Sequence, residues 1–331
     1  MCCPSCCSSS NSNSGPSAST PPSSGTVRCT CSVTLSPRPL NLCGTGSTGT
    51  LTATGTPSGG TFAWASSNTS VATVAGHGNT ATVTVVAAGS ANITVTYSPA
   101  GCSPCSDTVS VRTCTCTPGR KYAYAYKSIA NLIAGRTNLK TRYAKLCCET
   151  EGCSTVAAFH ATYVNISNET SGQKWAQTGV SRRRNAGSTA IIQYRKAEIQ
   201  GNTYTINMDT AHAPAEGSIH EYKIELNKVT GTWSYFDNGT VWQTYADAFW
   251  RSALGTSVIW AGEIYNSEDD MPGTAGNKCT FTDCQYRVDG RAAYQDAGLV
   301  ARDTRTDDAN EWGVEWVSST AFNIWDKNPH P

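Results

Sequence analysis

Apolar and polar residues alternate with a period of two through the first third of the chain. Segments 49–54, 61–65, 80–85, 91–97 and 108–111 each place Val, Ile, Leu, Ala or an aromatic at every second position, with Gly, Pro, Ser or Asn turns between them. Alternation of this kind buries one face of a strand and wets the other. Short strands at this spacing predict a small β-sandwich over residues 28–116, with Trp64 as its expected core anchor. The period then changes. Between residues 128 and 145, Ile129, Leu132, Ile133, Leu139 and Tyr143, with Leu146 just beyond, fall on one helical face, which predicts one short helix in a connector over 117–155. From residue 156 onward strands return, now rich in aromatics, and seven of the nine tryptophans lie beyond residue 230. A domain of about 175 residues can bury a full core, so residues 156–331 are expected to form a larger, curved two-sheet sandwich. The predicted fold is all-β.

Composition narrows the function classes. The 331 residues fit two domains of ~150, and only 15% are charged, against about 25% in ordinary globular chains. A formal charge of +1 supplies no basic field to collect nucleic acid or an anionic membrane. No apolar run approaches the ~20 residues of a membrane-spanning helix. Nine of the eighteen residues from 8 to 25 are Ser, so residues 1–27 are expected to be a flexible tail.

Sixteen cysteines suit an oxidising setting, which points to an extracellular, surface or virion-associated protein. The start, Met1-Cys2-Cys3-Pro4-Ser5-Cys6-Cys7, is neither basic nor apolar and is not a secretory signal peptide; export by another route, an upstream start or release by lysis are the alternatives. That cluster has no His nearby, so disulfides, local or joining two copies of the chain, are expected in place of a metal. Cys29 and Cys31 open the first module and Cys114 and Cys116 close it. Tandem bridges between the two pairs are expected, with Cys43 joined to Cys102. Cys147, Cys148 and Cys153 are expected to pin the helix, and Cys279 and Cys284 to clamp a hairpin. Cys102-x-x-Cys105 lacks the βαβ surroundings of a redox motif, which favours structural pairing.

None of the five histidines has metal-ligand spacing, and nucleophile, phosphate-loop and dinucleotide motifs are absent from the sequence. Two apolar strands with a polar residue in each remain: Lys174-Trp175-Ala176-Gln177-Thr178-Gly179-Val180 and Val258-Ile259-Trp260-Ala261-Gly262-Glu263-Ile264-Tyr265-Asn266. Strand parity puts Trp175, Gln177 and Gly179 on one face, and Ile259, Ala261, Glu263 and Tyr265 on one face. Small neighbours such as Gly179 and Ala261 let a substrate approach a groove floor. A Glu in an apolar strand needs a partner or a solvated cleft.

The stretch from Gly49 through Ser67-Asn68-Thr69-Ser70-Val71-Ala72-Thr73-Val74 to Ala88-Gly89-Ser90-Ala91-Asn92-Ile93-Thr94-Val95 resembles bacterial and phage immunoglobulin-like domains, which implies a spacer or adhesive unit. Across residues 156–290, the WAQTGV and VIWAGEIYN strands with Met271-Pro272-Gly273 resemble the glutamic peptidases, the eqolisin and neprosin group. That resemblance implies a bent, lectin-like (concanavalin-like) double sheet and endopeptidase activity at acid pH without a metal or organic cofactor. It also implies catalytic roles for Gln177 and Glu263, and a substrate cleft walled by Trp175, Tyr194, Trp260 and Tyr265. An ionised Glu263 would take a proton from the attacking water, and the Gln177 amide would donate to the developing oxyanion. The chain departs from the family at Gln193, where an acid is common.

Other readings stand beside this one. Without the family, Gln177 is a solvent-facing strand residue and Glu263 a groove-edge carboxylate paired with an Arg. Arg182-Arg183-Arg184 reads as a solvated loop, or as cations that weaken Glu263 as a base. Glu268-Asp269-Asp270 reads as an acidic turn more readily than as a Ca²⁺ site. The partner is a polypeptide substrate or, in the alternative, a surface glycan stacked on exposed aromatics of a non-catalytic binding protein. A disulfide-linked structural or adhesion role is the third reading.

Overall fold

The computed structural model describes residues 29–149 and 157–329. The 1–27 tail with its four cysteines, and Cys153, lie outside the described residues. The first module has strands β1 (Ser32–Ser36), β2 (Leu40–Cys43), β3 (Thr48–Thr56), β4 (Thr61–Ser66), β5 (Ala72–His77), β6 (Thr80–Val85), β7 (Gly89–Ser98) and β8 (Cys105–Cys114). They form two four-stranded sheets, ordered β1-β3-β6-β5 and β2-β8-β7-β4. The alternating positions meet between them: Leu51, Val83, Ile93, Val95, Tyr97 and Val111 make the core. Trp64 is not its anchor. It is only half-buried at the sheet margin, where its indole N–H donates to the Gly78 carbonyl at 3.1 Å and its ring lies where a Cβ on Gly76 would sit.

The second module begins with β9 (Pro118–Lys140) and continues through β10 (Ala158–Asn168), β11 (Lys174–Arg184), β12 (Ile191–Gln200) and β13 (Tyr204–Asp209). Next come β14 (Ile219–Asn227), β15 (Thr232–Asp237), β16 (Thr240–Ala246), a four-residue helix α1 (Phe249–Ser252) and β17 (Gly255–Asn266). The last strands are β18 (Gly273–Thr274), β19 (Asn277–Val288), β20 (Gln295–Asp296), β21 (Thr304–Thr306), β22 (Trp312–Ser318) and β23 (Ala321–Asp326).

The helix expected over 128–145 is absent; β9 occupies most of that stretch. Its burial alternates at both ends, as a half-wet strand requires, but Leu132 to Gly135 are buried in succession where the strand passes through the core. That run supplies the i, i+3, i+4 spacing that imitates a helical face. The 23-residue strand belongs to two layers. Its first half pairs with β17, and the layer continues β17-β10-β11-β12-β13. Its second half pairs with β14 on one side and β19 on the other, in a layer that also holds β15, β16, β22 and β23. The crossing falls at an irregular register opposite Gly255–Ser257, where Asn131 adopts φ 60°.

The layers pack face to face, β10 and β11 over β14 and β15. Even-numbered residues of the first layer (Val164, Ile166, Val180, Val258, Trp260, Ile264) meet Tyr222, Ile224, Trp233 and Tyr235 of the second in one core. The odd-numbered residues of β10, β11 and β17, with the even-numbered ones of β12 and the first half of β9, are left to line the other face.

The disulfides depart from the expected tandem. Cys29 bonds Cys102 and Cys31 bonds Cys105 within the first module, while Cys114 bonds Cys148 and Cys116 bonds Cys147 across the two modules. Cys43 is also disulfide-bonded, but not to Cys102. Cys279 and Cys284 are free and buried, not a clamp. Both sit on β19 itself, where side-chain burial and not bridging occupies them. No helix among the described residues is long and apolar enough to cross a membrane.

Candidate functional site

Antiparallel registers convert the first layer's outer face into a grid. One row runs Tyr122, Glu263, Ala161, Ser181, Tyr194; the next Tyr124, Ala261, Tyr163, Gly179, Lys196; the third Tyr126, Ile259, Asn165, Gln177, Glu198. Directly paired residues project to the same side, so all fifteen share one face. The floor dips where the small residues sit. At Gly179 a Cβ would lie 2.0 Å from the Thr162 carbonyl oxygen, so only glycine lets β10 and β11 run this close. The face lines a cleft of about 760 Å³ that also takes in Arg120, Phe159, Trp175, Tyr204 and Tyr265, within the usual size of ligand sites.

Gln177 and Glu263 line this one cleft, brought to the same side by the register through β10 and not by adjacent strands. β10 separates them, and Tyr163 stands at the centre of the square they define. Two strand spacings and four residues put their Cα atoms roughly 17 Å apart on a flat sheet.

Each group is held by partners. Gln177 accepts from Asn165 Nδ2 at 3.2 Å and donates through Nε2 to Glu198. Ser167 fixes Asn165 in turn, donating to its Oδ1 at 2.7 Å. An acceptor on one side and a donor on the other settle which way the Gln177 amide faces. Glu198 also accepts from the Tyr204 hydroxyl at 2.8 Å and pairs with Lys196 at 3.3 Å. Burial works to raise the Glu198 pKa, but Lys196 and the bonds from Gln177 and Tyr204 outweigh it and hold the carboxyl below its ordinary range.

Glu263 is 4% exposed. Its Oε1 is 3.2 Å from Arg120 Nη1 and accepts from the Tyr122 hydroxyl at 3.5 Å. Burial, then the charge of Glu263, pushes the Tyr163 hydroxyl well above its ordinary pKa, and a bond to Glu263 adds to this. Tyr163 therefore stays protonated and donates.

Trp175, Tyr194 and Tyr265 line the cleft, with Phe159 stacked on Tyr265 at 5.3 Å. Trp260 does not. It is fully buried, its indole N–H donating to the Arg136 carbonyl at 2.9 Å; an even position in a strand whose odd positions face the cleft must point to the core. The Arg run is not a solvated loop: it forms the end of β11, with Arg184 1% exposed. Arg182 pairs with Glu149 at 2.6 Å and Arg184 bonds the Cys147 and Cys148 carbonyls. The cation beside Glu263 is Arg120, from the start of β9. Arg120 and Tyr122 escape sequence reading because the first part of β9 carries no assignment and the rest reads as a helix. Glu198 was legible by parity: it lies two positions from Lys196 and four from Tyr194. Gln193, where the acid was sought, is exposed on the opposite face.

Among the described residues, one group has the closeness of a metal-ligand set: Cys114, Cys116, Cys147 and Cys148, outside the cleft.

Residues 30–101 match the family of bacterial Ig-like domains (group 2). No curated protein matches the chain. Among solved structures, the chain is similar to Scytalido-glutamic peptidase, crystallised with a peptide-based transition state analogue, at 13% identity and a TM-score of 0.43 over 63% of this chain and 100% of that one. It is also similar to sheep galectin-11, in complex with glycerol, at 11% identity and a TM-score of 0.23 over 47% of this chain and 97% of that one. At these scores the likenesses bear on neither substrate nor mechanism.

Proposed function

We propose that the cleft hydrolyses peptide bonds at acid pH, in a secreted, surface or virion-associated protein whose Ig-like module acts as a spacer. The second module is read as a lectin-like double sheet of the glutamic-peptidase kind. The observation that carries this is the joint placement of a buried carboxylate and an oriented amide on one cleft floor, with a tyrosine hydroxyl between them. Glu263 takes the proton from water attacking the scissile carbonyl. Gln177 has two N–H hydrogens; Glu198 engages one, and the other donates to the developing oxyanion. An extended polypeptide lies across the floor between Trp175 and the Tyr122-Tyr124-Tyr126 wall.

Casein digestion at about pH 4, near the ordinary carboxylate range, tests the reading. Wild type is expected to cleave, Glu263→Gln to be inactive, and Gln177→Ala to lose roughly 10²–10³ in kcat. Equal rates in wild type and Glu263→Gln would remove the enzyme reading. The same aromatic wall favours a second reading, a glycan site in which sugar rings stack on Trp175 and Tyr124. Glycan-array binding lost in Trp175→Ala and Tyr124→Ala, with no proteolysis by wild type, would select it.

A further inference from the structure

The four cysteines that join the modules lie closer together than two bridges require. Their Sγ atoms are all within 4.8 Å of one another. Across the bridges, Cys116 Sγ lies 3.2 Å and Cys147 Sγ 3.5 Å from Cys148 Sγ. A tetrahedral zinc with ~2.3 Å bonds to four thiolates needs sulfurs about 3.8 Å apart. Cys-x-Cys from one segment and Cys-Cys from another supply that donor set.

The sulfurs are gathered by more than their own bonds. The Cys147 N–H donates to Asp269 Oδ1 at 2.7 Å, and its carbonyl accepts from Arg184 at 2.6 Å. The Cys148 carbonyl accepts from the same guanidinium at 3.2 Å. On the other side, the Cys114 carbonyl accepts from the Gly44 N–H at 2.7 Å, and Cys114 sits in register with Cys43 at the end of the β2–β8 pair. None of these contacts is made through a sulfur atom. Arg184 is 1% exposed, so a full positive charge is buried against this loop. Four thiolates around a dication carry two net negative charges, and a buried site of that kind needs a cation close by.

We propose that the reduced chain binds one thiophilic divalent cation of the zinc type through Cys114, Cys116, Cys147 and Cys148. The joint between the modules then has two forms, a double disulfide and a metal tetrathiolate. Interconversion needs a reductant. With a phosphine, each disulfide accepts an electron pair, the phosphine leaves as its oxide with oxygen from water, and two thiols form. On binding the cation the four thiols become thiolates and release four protons to the solvent. The site is independent of the peptidase reading.

The test uses the full-length chain with Cys2, Cys3, Cys6 and Cys7 replaced by Ser, reduced with a phosphine and titrated with Co²⁺. One equivalent is expected to bind with thiolate-to-cobalt charge-transfer and tetrahedral d–d bands, and Zn²⁺ to displace it. Cys147→Ser with Cys148→Ser is expected to lose the bands, and Cys29→Ser with Cys31→Ser to keep them. Cys148→His is expected to keep one equivalent with a weaker charge-transfer band, which separates loss of a ligand from loss of the fold. No charge-transfer band in the reduced parent chain, or a band that survives the Cys147→Ser and Cys148→Ser pair, overturns the proposal.

Discussion

Glu198 shows how one buried carboxylate can hold another side chain in place. It fixes the Gln177 amide, stays ionised because Lys196 and its hydrogen-bond donors outweigh burial, and closes a polar chain running from Ser167 through Asn165. Removing it leaves Lys196, itself buried, without its counter-charge. Glu198→Ala is expected to destabilise the fold by about 3 kcal/mol at neutral pH, measured by urea unfolding. The pKa of Glu198 is depressed in the folded state, so its contribution is present above the unfolded carboxylate range and is lost as pH falls through the folded value. The gap between wild type and Glu198→Ala should therefore narrow below about pH 4. Glu198→Gln keeps the shape but not the charge, and a fall in kcat with little change in KM would mark Glu198 as the group that positions Gln177.

At the scale of elements, β9 decides most of the architecture. It gives the cleft its tyrosine wall, then crosses into the second layer at Asn131, whose φ of 60° suits Asn or Gly and strains a β-branched side chain. Asn131→Val is expected to cost about 1–2 kcal/mol and Asn131→Gly far less, as read by thermal unfolding. β9 was also where sequence reading failed. Period-two strands such as β3, β6 and β7 were legible because each has one wet face. Leu132 to Gly135 have none, and a run buried on both sides carries no period that separates strand from helix. Parity did locate Gln177, Gly179, Ala261 and Glu263 on their faces, and the same rule, applied to Trp260, would have sent it to the core. Which strand lies between the two faces is a matter of long-range pairing that no local pattern encodes.

For the whole molecule, cysteine count and spacing indicated an oxidised protein, but pairing depends on which ends the fold brings together. Peptide mapping without reduction is expected to recover Cys29–Cys102, Cys31–Cys105, Cys114–Cys148 and Cys116–Cys147. Iodoacetamide should leave Cys279 and Cys284 unlabelled in the native chain and modify both in guanidinium, because burial pushes the Cys284 thiol up to about 12 and Cys279 higher still. Labelling of either in the folded protein would contradict the packing of β19.

The cross-module bridges also set a route for mechanical load. β9 starts two residues after Cys116 and carries Arg120, Tyr122, Tyr124 and Tyr126 along the cleft. Tension arriving through the Ig-like module would otherwise peel that strand away from β17. With Cys114 and Cys116 bonded to Cys148 and Cys147, the pull passes into the segment beyond the far end of β9. The whole strand becomes a slack loop between two fixed points, and the cleft wall stays in register while the tether is stretched.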